Sequence, residues 1–206
     1  MASNHFPAAD TPIFSTRGFA EQCDLSVSAA SHRLLRLEKS GIVAKLTRGV
    51  WYQLQLKNLS RYSAIPILLN KEHGYLSFLS ALNYHEAIEQ IPTTVMIAST
   101  GYPRTLSTPL GVYEFFKLKP QMMTDGYSWS RAPQPYLVAS PEKALLDTFY
   151  LATRKGKRFS SLPEIDWSRL KRRELEELAM KHISYPSIRN AVMKRVEELS
   201  AVSELR

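Results

Sequence analysis

Cysteine is almost missing from this chain of 206 residues: Cys23 stands alone. One thiol forms no intrachain disulfide, and it builds no thiolate cage for a metal. No apolar run is long enough to span a bilayer. Met1–Pro12 has neither a basic start nor a continuous apolar stretch, so it does not read as a secretory leader. A reducing cytoplasm is the compartment these features favour. Catalytic signatures are scarce as well. There is no glycine-rich phosphate loop and no Gly-x-Ser-x-Gly elbow, and His85-Glu86 is not followed by the second histidine of a zinc-hydrolase helix. Internal repeats and low-complexity tracts are absent. Neither a catalytic residue nor a metal or cofactor is expected, and the chain does not read as an enzyme.

Apolar residues make up 44% of the chain, enough to build a core. The formal net charge is +8, which favours a polyanionic partner. Its distribution is uneven. Met1–Ser60 holds seven Lys and Arg against four acids, Arg61–Thr153 seven against seven, and Arg154–Arg206 thirteen against eight. Two basic ends flank a neutral middle.

The pattern of elements predicts an α+β fold. An N-terminal winged helix-turn-helix (13–57) is followed by a mixed α/β domain (62–154) and a basic C-terminal helical segment (155–206). Met1–Pro12, with two prolines, reads as a loose arm. Ser15 or Thr16 caps a short helix over Arg17–Cys23, and Asp24-Leu25-Ser26 makes a turn. A second helix runs from Val27 to Lys39 and stops at Gly41. A hairpin follows, Ile42–Thr47 and Val50–Leu56, turning at Arg48-Gly49. In the middle, helical spacing of Phe78, Leu79, Leu82 and Ile88 predicts a helix over Ser77–Glu89. Strands are expected over Thr93–Ser99, Gly111–Lys119 and Tyr136–Ala139. Ser140-Pro141-Glu142 opens a helix reaching about Arg154, with Ala144, Leu145, Thr148 and Leu151 near one face. Arg154–Arg158 reads as a basic linker, and two amphipathic helices follow, Asp166–Lys181 and Ser187–Leu199.

Within the second helix Val27, Ala30, Leu34 and Leu37 share a face at spacings of three, four and three, so that face is expected to be buried. Ser28, Ser31, His32, Arg33 and Arg36 then face outward. Short hydroxyls allow close approach, and arginine and histidine hydrogen-bond to phosphate or to guanine. Lys45 and Arg48 on the hairpin add charge beside the helix. These seven residues are the candidate contacts to double-stranded DNA. Trp51 and Tyr52 are expected to anchor the hairpin. Elsewhere Asp147 can pair with Lys143 one helical turn away. The cluster Arg169, Lys171, Arg172 and Arg173 is either a solvated surface with pairs such as Arg173–Glu177, or an additional phosphate contact.

Leu34-Leu35-Arg36-Leu37-Glu38-Lys39-Ser40-Gly41-Ile42, then Leu46-Thr47-Arg48-Gly49-Val50-Trp51-Tyr52, resembles the winged N-terminal domain of the AbiEi antitoxin family. Tyr75–His85 is similar to that family's serine- and alanine-bearing helix. Val138-Ala139-Ser140-Pro141-Glu142-Lys143-Ala144-Leu145-Leu146-Asp147 is similar to its later strand-to-helix signature. The resemblance covers about Phe14–Leu151. It implies a repressor that binds inverted repeats in its own operator and opposes a nucleotidyltransferase-like toxin, in a type IV toxin–antitoxin pair. Winged domains carry a helix before the Phe14 position, which Met1–Pro12 does not supply. Either a C-terminal helix covers that face or the domain is trimmed. The alternative function is a protein-interaction module that has lost DNA binding, with Tyr113, Phe115, Phe116 and Tyr127 as candidate contacts.

Overall fold

A computed structural model describes residues 11–56, 59–155, 159 and 162–204. The chain is a mixed α+β protein, with seven α-helices and two β-sheets among these residues. None of the described helices is long and apolar enough to cross a membrane. The expected N-terminal arm lies mostly outside the described residues, as do 156–158 of the expected linker.

The first sheet has three antiparallel strands: β1 (Ile13–Ser15), β2 (Val43–Thr47) and β3 (Val50–Gln53), in the order β1-β3-β2. Between β1 and β2 lie α1 (Thr16–Gln22) and α2 (Val27–Lys39). Capping fixes both helices. The Ser15 hydroxyl accepts from the Gly18 N–H at 2.9 Å and the Ser26 hydroxyl from the Ala29 N–H at 3.2 Å. Each helix ends on a residue of positive φ, Asp24 after α1 (53°) and Gly41 after α2 (67°). At the second end the Ile42 N–H reaches the Leu37 carbonyl and the Gly41 N–H the Glu38 carbonyl, both at 3.0 Å, and Ile42 and Leu37 both pack on the core. This is a Schellman stop, and it aims the chain from α2 into β2. The predicted bounds of α2 coincide with those observed. Strand β1 was not foreseen: three residues are too few for an alternating pattern to show.

The second sheet has six strands in the order β6-β7-β5-β4-β9-β8. They are β4 (Gly74–Leu76), β5 (Thr94–Ser99), β6 (Arg104–Thr108), β7 (Gly111–Lys117), β8 (Tyr127–Trp129) and β9 (Leu137–Ala139). The β5–β7 and β4–β9 pairs are parallel, the others antiparallel. The central register sets Val95 against Tyr113 and Ile97 against Phe115, so the core runs along both strands. Helix α4 (Phe78–Tyr84) is shorter than the predicted helix. It stops at His85, and Glu86 takes a positive φ of 58°.

Helix α5 (Pro141–Lys155) begins at the proline as expected, and the predicted apolar residues are buried. The structure differs in burying the rest too. Glu142 through Ala152 are all buried, because α4 packs on one side of α5 and α6 (Arg172–His182) and α7 (Pro186–Glu204) pack on others. A helix at the centre of a bundle has no solvent face, and its polar residues must find partners inside. The predicted start at Asp166 is a 3₁₀ turn, Trp167–Arg169, which Asp166 caps; α6 itself begins at Arg172.

Ile13 and Leu46 leave the first sheet on the side away from α1 and α2. They join the large core together with Ala64, Ile65, Leu68 and Leu69. The segment ending in α3 (Ile65–Leu69), directly after the hairpin, packs against β1 on that side.

Candidate nucleic-acid interface

At 100° per residue, the buried side of α2 is Ala30 and Leu34, with Leu37 beside them. The opposite side carries Ser28, Ala29, His32, Leu35, Arg36 and Lys39, all exposed. Of the predicted contacts, Ser28, His32 and Arg36 stand on this face. Ser31 and Arg33 lie on its flanks, half-buried, with the Arg33 guanidinium 5.7 Å from the centroid of the Phe19 ring. Val27 departs from its expected burial. It is 53% exposed, because the first turn of α2 overhangs the end of the small core. Lys39, Ala29 and Leu35 had not been singled out, although the same helical angle selects them.

Lys45 and Arg48 on the hairpin are also exposed. The turn between them and β3 is held by a short relay. The Trp51 Nε1–H donates to Thr16 Oγ1 at 2.9 Å, and the Thr16 N–H donates to the Gly49 carbonyl at 2.9 Å. Gly49 sits at φ +75°, a conformation glycine adopts without strain. The relay pins the hairpin tip to the start of α1. Arg48 and Arg17 therefore flank one clamp, on the residues next to Gly49 and Thr16. Arg17 is exposed and was not among the predicted contacts; its place beside a helix cap was the sole signal for it. Trp51 is buried and anchors the tip, as its position in the hairpin led one to expect.

The charges at the two basic ends are arranged differently. Among the described residues none of Arg17, Arg36, Lys39, Lys45 and Arg48 forms an ion pair. The C-terminal cluster is neutralised at home. Arg169 meets Glu86 and Asp166, Lys171 meets Glu174, Arg172 meets Glu176 and Glu197, and Arg173 meets Glu177. Hydrogen bonds from Ser168 hold the Asp166 carboxyl below its usual range, and the Glu174 carboxylate raises Lys171.

Polar residues of the middle segment have other duties. Asp147 and Lys143 are paired, as expected, and both are fully buried; Asp147 also accepts from Tyr75 (3.0 Å) and Ser77 (2.8 Å). Burial, reinforced by the Asp147 carboxylate, holds the Tyr75 phenol well above its ordinary range, so it stays a donor. Glu142 accepts from the Lys171 N–H at 2.9 Å, tying α5 to the start of α6. Ser80 bonds to β5 and His85 Nε2 lies 2.8 Å from the Ala139 carbonyl, so the hydroxyls and the imidazole of α4 face separate partners. His73 is exposed at the edge of the Tyr75–Tyr127 stack, and Glu89 is exposed. Tyr113, Phe115 and Phe116, considered as partner contacts, are core residues, and Tyr127 is half-buried against Tyr75.

No protein-family model matches the chain, and no curated protein matches it.

Proposed function

We propose that residues 13–57 form a winged helix-turn-helix that binds duplex DNA. In this proposal the chain is a cytoplasmic repressor of its own operon and the antitoxin of a type IV toxin–antitoxin pair. The observation that carries the DNA half is the contrast in charge. Among the described residues five cations stand without an ion pair around α2 and the hairpin tip, while the four of the C-terminal cluster are matched by acids of their own. Unpaired surface cations meet phosphates without first breaking a bond; paired ones must be released. Helix α2 would enter the major groove, with Arg17 and Arg48 gripping the flanking backbone. The antitoxin half is supported by the order of the motifs shared with the AbiEi family over about Phe14–Leu151.

A gel-shift or anisotropy titration on the DNA upstream of the gene, over a salt series, tests the DNA half. If about five phosphates are neutralised, affinity drops about five hundred-fold between roughly 50 and 200 mM salt. Affinity flat in salt, or equal affinity for random duplex, counts against a specific regulator. Arg48→Ala should lower the salt slope by about one phosphate while leaving the melting temperature nearly unchanged, since it truncates an exposed side chain. For the antitoxin half, a nucleotidyltransferase-like neighbouring gene should arrest growth alone and fail to do so when this chain is co-expressed.

A further inference from the structure

Ser28, His32, Leu35 and Lys39 follow one another on α2 at spacings of four, three and four, and form a single outward ridge with Ala29 and Arg36 beside it. Beside His32, the middle of that ridge has an apolar member. Leu35 is 44% exposed and belongs to neither apolar cluster. The core side of α2 is Ala30, Leu34 and Leu37, and the Schellman stop uses Leu37 with Ile42. The ridge holds no Asn or Gln, and Arg33 leans on Phe19. No amide that would read adenine by paired hydrogen bonds is thus present on the ridge, and its guanine-reading groups are limited to His32, Arg36 and Lys39. The only apolar group on a major-groove base edge is the C5-methyl of thymine. We propose that α2 recognises thymine methyl groups through Leu35 and Ala29, while Arg36 and Lys39 hold the flanking phosphates.

This inference rests on duplex binding by the unit, as proposed above, and adds what is read. The charge on the ridge selects DNA over a second copy of the chain. Two-fold self-docking through Leu35 would bring Arg36 and Lys39 against their own copies, with no acid on the ridge to offset them.

The test uses the full chain and a duplex selected by it from a random pool. Thymines within the protected major-groove positions are replaced by deoxyuridine, which removes the methyl and leaves base pairing and phosphates intact. Affinity should fall about four-fold for each methyl that was buried. Leu35→Ala should bind the thymine duplex more weakly than the wild type and discriminate little between thymine and uracil, with an unchanged salt slope and melting temperature. Wild-type protein that binds the selected duplex yet ignores uracil overturns the inference and leaves the DNA-binding proposal standing. A Leu35→Ala protein that keeps the full thymine-to-uracil ratio, or whose oligomeric state changes instead, also overturns it. Failure to bind any duplex in a salt-dependent way removes the proposal and the inference together.

Discussion

Asp125 shows how one carboxylate can fasten an element. It lies between the core and α6, and it accepts from Lys181 Nζ and from the buried imidazole of His182. His182 Nδ1 also lies 2.8 Å from the Gln121 carbonyl, so both ring nitrogens face acceptors. Burial pulls the Asp125 carboxyl upward, but Lys181 and His182 outweigh it and hold the group below its ordinary value of 3.8. A carboxyl whose folded pKa is depressed contributes stability above its unfolded pKa and loses it as the pH falls through the folded one. Asp125→Asn should therefore melt below the wild type at pH 6. The gap should narrow as the pH falls below about 4 and close once the pH has passed through the depressed folded-state value, where the wild-type carboxyl is protonated too. Paired melting curves across that range check it. A gap that keeps its size in acid would mean Asp125 acts through shape and not through charge.

At the scale of elements, α2 and α6 make the instructive pair. Both are basic and amphipathic in sequence, and only their partners tell them apart. The acids that neutralise α6 and the turn before it come partly from nearby turns and partly from Glu86 and Glu197, more than twenty residues away. The local pairs were legible, as Arg173–Glu177 shows; the distant ones were not. Similar logic covers the rest. Caps and stops fixed α2 and the start of α5, since Ser26, Gly41, Ser140 and Pro141 act on backbone groups nearby. Strands β1, β4, β6 and β8 stayed hidden although the three-residue β9 was expected, because strands this short owe their pairing more to the sheet than to their own pattern. At the candidate interface helical spacing found Ser28, His32 and Arg36. Arg33's turn toward Phe19 depended on a ring from another helix. The difference between α2 and α6 yields a measurable expectation. Lys39→Ala should flatten the salt dependence of DNA binding by about one phosphate, whereas Arg173→Ala should leave it unchanged. Equal effects from the two would assign α6 to the contact surface.

For the whole molecule, the decisive feature is a sheet with two buried faces. Phe14, Val43 and Trp51 point toward α1 and α2, where they meet Phe19, Ala30 and Leu34; Ile13 and Leu46 point the other way, into the core that contains the six-stranded sheet and α5. Removing that second core would bare Ile13 and Leu46, along with the partly buried Val50 and Tyr52. The N-terminal unit and the rest should then unfold together, although their sequences read as separate modules. Trp51 is buried in the small cluster, so with Trp129→Phe and Trp167→Phe it becomes the sole indole reporter of the first sheet. Its fluorescence in urea should change at the same midpoint as far-UV circular dichroism, which senses all the helices. Leu46→Ala removes a buried side chain at the junction and should cost about 2–4 kcal/mol. Both signals should shift to lower urea by the same amount. If the fluorescence transition alone moves, or the two midpoints separate in the parent, the first sheet folds as a unit of its own, and α3 only rests against it. Coincident transitions would mean instead that the side chains behind β1 and β2 help fix the angle at which α2 is presented.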